Sequence, residues 1–265
     1  MEAIYTRKLT VTPGLCDASG RLSCADTFRI FQDVASEHAE RMGLGGVAMQ
    51  KKHAFWMTVR TRVHFYKRPW MMQEVDLSTW PMAPGRMRCD RCYRLCDGET
   101  LLAEGRTEWC VYDTQLGAVR STEGLFDPET DFHGELLLPA PYARFRHDFT
   151  EADRACTHVV RASDIDVGRH MNNVAYLRML MDSFSVAEQE RMRITEMEIL
   201  FCMPCFEGEA LDVLRRRTDF GYEFGVRRPD GRYAALALLR AEARACAGAI
   251  IWMRMRGSWR GSSAS

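Results

Sequence analysis

The chain contains one short segment twice, and this duplication constrains the fold more than any other feature of the sequence. Residues 166–176 set an acid and a histidine, Asp166 and His170, ahead of an apolar run with helical spacing. A weaker copy begins 149 positions earlier, where Asp17 and Arg21 stand at the offsets of Asp166 and His170. We therefore interpret the chain as a duplication in which only the second copy kept its histidine.

The order of predicted elements repeats as well. In the first half, apolar residues spaced three and four apart predict a helix over 26–42, which glycines at 43, 45 and 46 end. Strands are predicted around it at 6–15, 54–66, 74–82, 86–95 and 101–113. In the second half one helix is predicted over 172–188, with strands at 156–161, 194–203, 209–216, 221–228 and 233–244. Each half should be one long helix against an antiparallel meander.

These patterns predict an α+β fold made of two tandem units. Residues 1–113 form the predicted N-terminal unit, 114–147 a linker rich in Gly, Pro and acidic residues, and 148–256 the C-terminal unit. The Gly- and Ser-rich end, 257–265, is expected to be disordered. A short apolar run at 247–255 has no place in this scheme.

Composition narrows the function classes. With 36 basic and 36 acidic residues, the chain offers no overall field for nucleic acid or membrane surfaces. It shows no signal-peptide core and no apolar run near the roughly 20 residues of a membrane span, so a cytoplasmic protein is expected. Of its ten cysteines, Cys89, Cys92 and Cys96 lie in or beside a predicted strand, where positions three apart face opposite sides. We therefore expect no metal and no other cofactor.

Four segments resemble the acyl-acyl-carrier-protein (acyl-ACP) thioesterases of plants and bacteria. They are residues 17–43, 78–81, 108–113 and 164–176, the last with Asp-x-Asp followed by His-x-Asn-Asn-x-x-Tyr. The resemblance implies a double hotdog fold and hydrolysis of fatty acyl-ACP to free fatty acid and holo-ACP, a step of fatty acid biosynthesis. It also implies acyl carrier protein as the partner, and it leaves a homodimer open.

Thioester hydrolysis needs an activated water or nucleophile, an acid for the departing thiol and a donor for the oxyanion. A helix starting near Asn172 turns unpaired N–H groups and the positive end of its dipole toward its mouth, and Asn172 and Asn173 are good caps. His170 suits a general base and acid near neutral pH, and Asp166 suits orienting its ring or activating the water. In the family the matching Asp and His are catalytic, so the resemblance implies these roles for Asp166 and His170.

The chain departs from the family's pattern at two positions. The family's Asp-x-Asn-x-His has Gly168 at its centre here, and the family's glutamate on the strand after the helix aligns with Pro204. A cysteine directly after that position is a proposed nucleophile in plant members, which makes Cys205 a secondary catalytic candidate. The carboxylates considered for the missing role are Glu207 and Glu209.

The resemblance also implies where the acyl chain binds. In the family the interior of the first domain sets the chain length, so Phe28, Phe31 and Trp56 are expected to contact the acyl chain. Asn172 and Asn173 are expected to bind the thioester end. The acidic carrier should meet a basic surface, for which the runs at 86–91 and 215–217 are candidates.

Two other interpretations remain open. The carrier is coenzyme A in other hotdog thioesterases, so acyl-CoA hydrolysis is one alternative. The other is an acyl-binding protein without activity, which the loss of two polar groups at Gly168 and Pro204 would favour.

Overall fold

The computed structural model describes residues 3–244. The apolar run at 247–255 and the tail at 257–265 therefore lie outside the described residues. Within residues 3–244 no helix is long and apolar enough to cross a membrane.

The first repeat contains two helices and five strands. They are β1 (Tyr5–Thr10), α1 (Cys24–Arg41), α2 (Gly46–Lys51), β2 (Ala54–Phe65), β3 (Glu74–Pro81), β4 (Cys89–Asp97) and β5 (Thr100–Asp113). The predicted strand at 6–15 was too long, because Pro13 opens a 3₁₀ turn, Pro13–Leu15. The observed helix α1 begins at Cys24, two residues before the predicted start at 26. The Ser23 side chain caps it there by accepting a hydrogen bond from the N–H of Asp26. The sequence did not predict α2.

The second repeat has the same order. After β6 (Ala118–Arg120) come β7 (Arg154–Val159), α3 (Asn173–Asp182), α4 (Val186–Glu190), β8 (Met192–Phe201), β9 (Ala210–Thr218), β10 (Gly221–Arg227) and β11 (Tyr233–Ala243). The single helix predicted over 172–188 was wrong. It ends at Asp182 and a new helix begins, because Ser185 and Glu188 form a capping box that starts α4.

All eleven strands form one antiparallel sheet in the order β1-β3-β4-β5-β2-β8-β11-β10-β9-β7, with β6 beside β5. The first five strands and the last five have mirrored orders, and they meet where β2 pairs with β8. Both α1 and α3 pack against the sheet and contact each other, in one apolar core. Each repeat is thus a helix held in a curved sheet, and the predicted α+β double hotdog fold is confirmed.

The register makes the two repeats directly comparable. Val63 lies opposite Gly105 between β2 and β5, and Ile199 lies opposite Ala237 between β8 and β11. Residues of β2 and β8 therefore correspond at an offset of 136 positions, while the loops before α1 and α3 correspond at 149. Most of the difference arises because α3 has 10 residues and α1 has 18, and the rest is lost between the end of α3 and the paired part of β8.

The segment interpreted as a linker packs along the outer face of the first repeat. Trp80 donates from Nε1 to the carbonyl of Glu135 at 2.7 Å, and Leu137 is buried against Trp80 and Cys92. The segment also supplies β6. It therefore covers the sheet face that α1 leaves exposed.

Candidate active site

A tight loop brings Asp166 and His170 together just before α3. The N–H of Asp166 donates to the carbonyl of His170 at 3.0 Å, and the N–H of Arg169 donates to the carbonyl of Asp166 at 3.0 Å. The N–H of Gly168 donates to Oδ1 of Asp166 at 2.8 Å. This folding leaves Nδ1 of His170 3.6 Å from Oδ1 of Asp166, with both side chains partly accessible to solvent.

Three hydrogen bonds, one from a side chain and two between backbone groups, anchor this loop to the rest of the repeat. Oδ1 of Asn172 accepts from the N–H of Val174 at 2.7 Å and so caps α3. The N–H of Asn172 donates to the carbonyl of Asp164 at 2.7 Å, and the N–H of Met171 donates to the carbonyl of Cys205 at 2.8 Å. His170 is therefore held two residues before the N-cap of α3, close to the positive end of the helix dipole.

The loop before α1 has the same hydrogen bonds. The N–H of Asp17 donates to the carbonyl of Arg21 at 2.9 Å, and the N–H of Ser19 donates to Oδ1 of Asp17 at 2.9 Å. Gly20 has a φ of 72°, and its equivalent Arg169 has a φ of 61°. A non-glycine residue in this left-handed conformation is strained, which marks the second loop as the more constrained copy.

The two copies of the loop differ in the residue that lies beside the aspartate, Asp17 in the first and Asp166 in the second. The N–H of Leu22 donates to the carbonyl of Pro69, just as the N–H of Met171 donates to the carbonyl of Cys205. Pro69 therefore corresponds to Cys205. The residue before it, Arg68, corresponds to Pro204. Arg68 forms an ion pair with Asp17. Burial alone would raise the pKa of Asp17, but Arg68 and Ser19 hold it below its ordinary value.

Proline at position 204 removes this competing cation from the second copy. Among residues 3–244, the ion-pair partner of Asp166 is His170 alone. Pro204, which stands where the family has a glutamate, thus leaves the carboxylate of Asp166 available to His170.

Gly168 gives the histidine its position. A Cβ atom at residue 168 would lie 2.9 Å from Nε2 of His170 and 3.0 Å from Oδ1 of Asp166. The imidazole ring therefore occupies space beside the backbone that a side chain would need.

The structure does not favour Cys205 as a nucleophile. Its side chain has no solvent exposure, and burial raises its pKa to about 11, so the thiol is neutral at physiological pH. Glu209 is held by Arg228, with Oε1 2.8 Å from Nη2. Glu207 is exposed on the surface. None of these three is aimed at His170 by any described contact.

A narrow cavity adjoins the start of α3. The volume open to the centre of a water-sized sphere is about 10 Å³, and its lining includes three residues expected from the sequence: Phe28, Phe31 and Asn173. Trp56, also expected to contact the acyl chain, does not line this cavity. It packs beside a separate cluster around Leu44 and donates from Nε1 to the Leu44 carbonyl at 2.9 Å, because the α2 segment covers that end of β2.

Three arginines of the two basic runs expected at a docking surface have partners within the fold. Arg91 is buried beside His38 and Thr79. Arg215 lies over the Phe184 ring with its Cζ 4.3 Å from the ring centroid. Arg216 forms ion pairs with Asp148 and Asp153. These three arginines hold the fold together, whereas Arg86, Arg88 and Arg217 of the same runs are exposed and remain candidates for the carrier surface.

A second acid–histidine pair, which the sequence analysis missed, lies next to the loop. Nε2 of His158 lies 2.8 Å from Oδ2 of Asp164, and the same carboxylate oxygen accepts from the N–H of Arg161. Asp164 thereby connects β7 to the turn before α3, and its own carbonyl accepts the hydrogen bond from the N–H of Asn172. The first Asp of the Asp-x-Asp motif was the available signal, since its partner lies on a different element.

Two tandem hotdog units with an acid–histidine pair before the second central helix define a double hotdog protein with a candidate active-site loop. The chain belongs to the acyl-ACP thioesterase family. It matches the acyl-ACP thioesterase N-terminal domain over residues 2–121 and the acyl-ACP thioesterase C-terminal domain over residues 148–252.

Individual relatives agree with this assignment. The chain is 26% identical over 233 residues to palmitoyl-acyl carrier protein thioesterase of Arabidopsis thaliana, covering 80% of this chain and 54% of the relative. It is 24% identical over 216 residues to oleoyl-acyl carrier protein thioesterase 1 of the same plant, covering 71% and 57%. The chain thus spans about half the length of the curated relatives it matches.

Solved structures share the fold. An acyl-ACP thioesterase from Bacteroides thetaiotaomicron superimposes with a TM-score of 0.78 at 18% identity, covering 91% of this chain and 98% of the other. The 12:0-ACP thioesterase from Umbellularia californica gives a TM-score of 0.78 at 16% identity, covering 92% and 99%.

Proposed function

We propose that the chain hydrolyses the thioester of fatty acyl-ACP and releases free fatty acid and holo-ACP. The observation that carries the proposal is the pairing of His170 with Asp166 in front of α3, next to a cavity that Asn173 lines. The family and the substrates in the names of its members support the choice of acyl-ACP.

The proposed reaction uses one base and one helix terminus. His170 takes a proton from a water molecule whose oxygen attacks the thioester carbonyl, and a C–O bond forms. The resulting oxyanion faces the first turn of α3, where the N–H of Asn173 points out of the helix start. The C–S bond then breaks, and protonated His170 gives its proton to the departing thiolate. Asp166 holds the imidazole ring and stabilises its charged form.

The decisive experiment measures thiol release from acyl-ACP by the purified chain and by His170→Ala and Asp166→Asn. Both variants should lose activity by about 10²- to 10⁴-fold, the usual contribution of a general base. Arg21→Ala is the matched control, because Arg21 holds the place of His170 in the first repeat. If both site variants keep full turnover while folded, the proposed site is wrong.

Acyl-CoA hydrolysis remains the alternative with the same chemistry. The same assay with acyl-CoA of equal chain length separates the two carriers by their kcat/KM. Binding of acyl chains with no turnover on either carrier would instead favour a binding protein. The geometry at Gly168 and Pro204 speaks against that outcome, since both residues leave the His170–Asp166 pair unobstructed.

The cellular setting is also part of the proposal. Release of free fatty acid from a carrier protein belongs to fatty acid biosynthesis, and the nine described cysteines are all free, as expected in a reducing compartment such as the cytoplasm. The plant relatives are chloroplastic by name. Fractionation of cells that produce the protein tests the location, and sedimentation of the purified chain tests for a homodimer.

A further inference from the structure

The cavity beside α3 is more polar than an alkyl chain requires. Besides three phenylalanines, its wall contains the side chains of Gln32, Thr61, Thr107 and Asn173. Thr61 and Thr107 lie opposite each other on β2 and β5, and their Oγ1 atoms are 3.0 Å apart. An unsubstituted acyl chain offers these groups nothing to bond with.

Further polar atoms lie behind this wall. The Oη of Tyr93, the Nε1 of Trp109 and the Oγ1 of Thr58 are buried and make no close hydrogen bond within residues 3–244, and Thr107 and Trp109 interact with the Tyr93 hydroxyl only at longer range. The side chains of Thr107 and Trp109 lie beside the Tyr93 hydroxyl, and Thr58 faces Trp109 across β2 and β5. Buried polar atoms without partners are uncommon because each costs roughly 1–3 kcal/mol.

The second repeat shows that the fold does not require this polarity. Its residues at the equivalent positions follow from the strand register and from the offset between α1 and α3. Gln32, Thr58, Thr61, Tyr93, Thr107 and Trp109 correspond to Met181, Ile194, Met197, Phe224, Leu239 and Ala241. All six counterparts are apolar. The polar groups are therefore a property of the first repeat's interior and not of the hotdog architecture.

Resting on the proposed function, we propose that this cavity selects acyl chains that carry an oxygen substituent, a hydroxyl or oxo group, in the part of the chain that passes Thr61 and Thr107. Such an oxygen accepts a hydrogen bond from a threonine hydroxyl or from the Tyr93 O–H, and a hydroxyl also donates one. Because Asn173 lines the same cavity at the start of α3, the substituent lies toward the thioester end.

The test compares 3-hydroxyacyl-ACP and 3-oxoacyl-ACP with the saturated acyl-ACP that has the same number of carbons. At least one oxygenated substrate should show a kcat/KM about tenfold higher than the saturated one, the effect of one well-placed hydrogen bond. In the double variant Thr61→Val/Thr107→Val and in Tyr93→Phe, this ratio should fall toward one. Valine replaces threonine with nearly the same shape, which limits damage to the fold.

Thr195→Val is the matched control, because Thr195 lies on β8 and bonds only to the Arg240 carbonyl at the surface. It should keep the wild-type ratio. A wild-type preference for the saturated chain, or a ratio that the cavity variants do not change, overturns the proposal.

Calorimetric binding of the free acids separates this proposal from the proposed function. If no acyl-ACP is hydrolysed but the 3-hydroxy acid still binds more tightly than the saturated acid, the hydrolase proposal fails and the cavity proposal stands. If both acids bind equally and acyl-ACP is hydrolysed normally, the cavity proposal fails and the hydrolase proposal stands.

Discussion

Arg62 and Glu198 lie on the pseudo-twofold axis that relates the two repeats. They are 136 positions apart, which is the offset between β2 and β8, and Nε of Arg62 lies 2.6 Å from Oε2 of Glu198. Each residue is therefore the counterpart of the other. Two identical chains paired in this way would place two identical side chains here, whereas one duplicated chain can place a base against an acid.

Glu198→Gln should lower the free energy of unfolding by about 3–5 kcal/mol. Both side chains are buried, with Glu198 fully inaccessible and Arg62 6% exposed, so the change leaves an uncompensated buried cation. Urea unfolding measures the loss. Glu196→Gln is the control, since Glu196 pairs with Arg240 near the surface and should contribute under about 1 kcal/mol.

A second variant tests the cause of that loss. Replacing both partners, as Arg62→Met/Glu198→Leu, should recover part of the stability that Glu198→Gln loses, because the buried Arg62 cation is removed and only the more exposed Arg60 loses its partner. A double variant as unstable as the single one would mean that packing, and not the unpaired charge, is responsible.

Pro204→Arg should reduce kcat/KM for acyl-ACP by about 10- to 100-fold. The first repeat has Arg68 at this position, where it forms an ion pair with Asp17. An arginine at 204 would compete with His170 for Asp166 in the same way. Pro204→Ala controls for loss of the proline and should have a much smaller effect. Equal effects of the two variants would count against the charge explanation.

Gly168→Ala should lower activity by about tenfold or more, although the change adds a single methyl group. The new Cβ would lie 2.9 Å from Nε2 of His170, so the imidazole ring must move. Steady-state kinetics should show the loss mainly in kcat. Val167→Ala, at a fully exposed neighbouring position, is the control. Wild-type kcat in Gly168→Ala would show that the ring has room to move without loss of catalysis.

Cys205→Ala should keep most of the activity. Burial raises the pKa of this thiol to about 11, so the thiolate fraction is small at pH 7 and rises only as the pH approaches that value. Mass spectrometry after iodoacetamide treatment at pH 8 should find Cys202, which is exposed, labelled before Cys205. Complete loss of turnover in a folded Cys205→Ala variant, with Cys202→Ala active, would restore the nucleophile hypothesis.

Much of the fold could be predicted because most helices and strands follow from local sequence patterns. The spacing of Phe28, Phe31 and Val34 predicts α1, and Asn172 marks the start of α3 through its cap. The split between α3 and α4 was missed because the apolar spacing of Leu177, Met181 and Phe184 continues past Asp182, where α3 ends. The capping box there is a hydrogen-bonding signal that outweighs periodicity.

The sequence by itself determined the duplication, the α+β class and the loop that carries Asp166 and His170, because each depends on residues close together in the chain. The tertiary structure decided which residues face them. The Arg62–Glu198 and Arg68–Asp17 pairs, the burial of Cys205 and the polar wall of Thr61 and Thr107 all depend on strand register and loop closure. Strand register and loop closure bring together residues separated by up to 136 positions, and no local periodicity specifies such contacts.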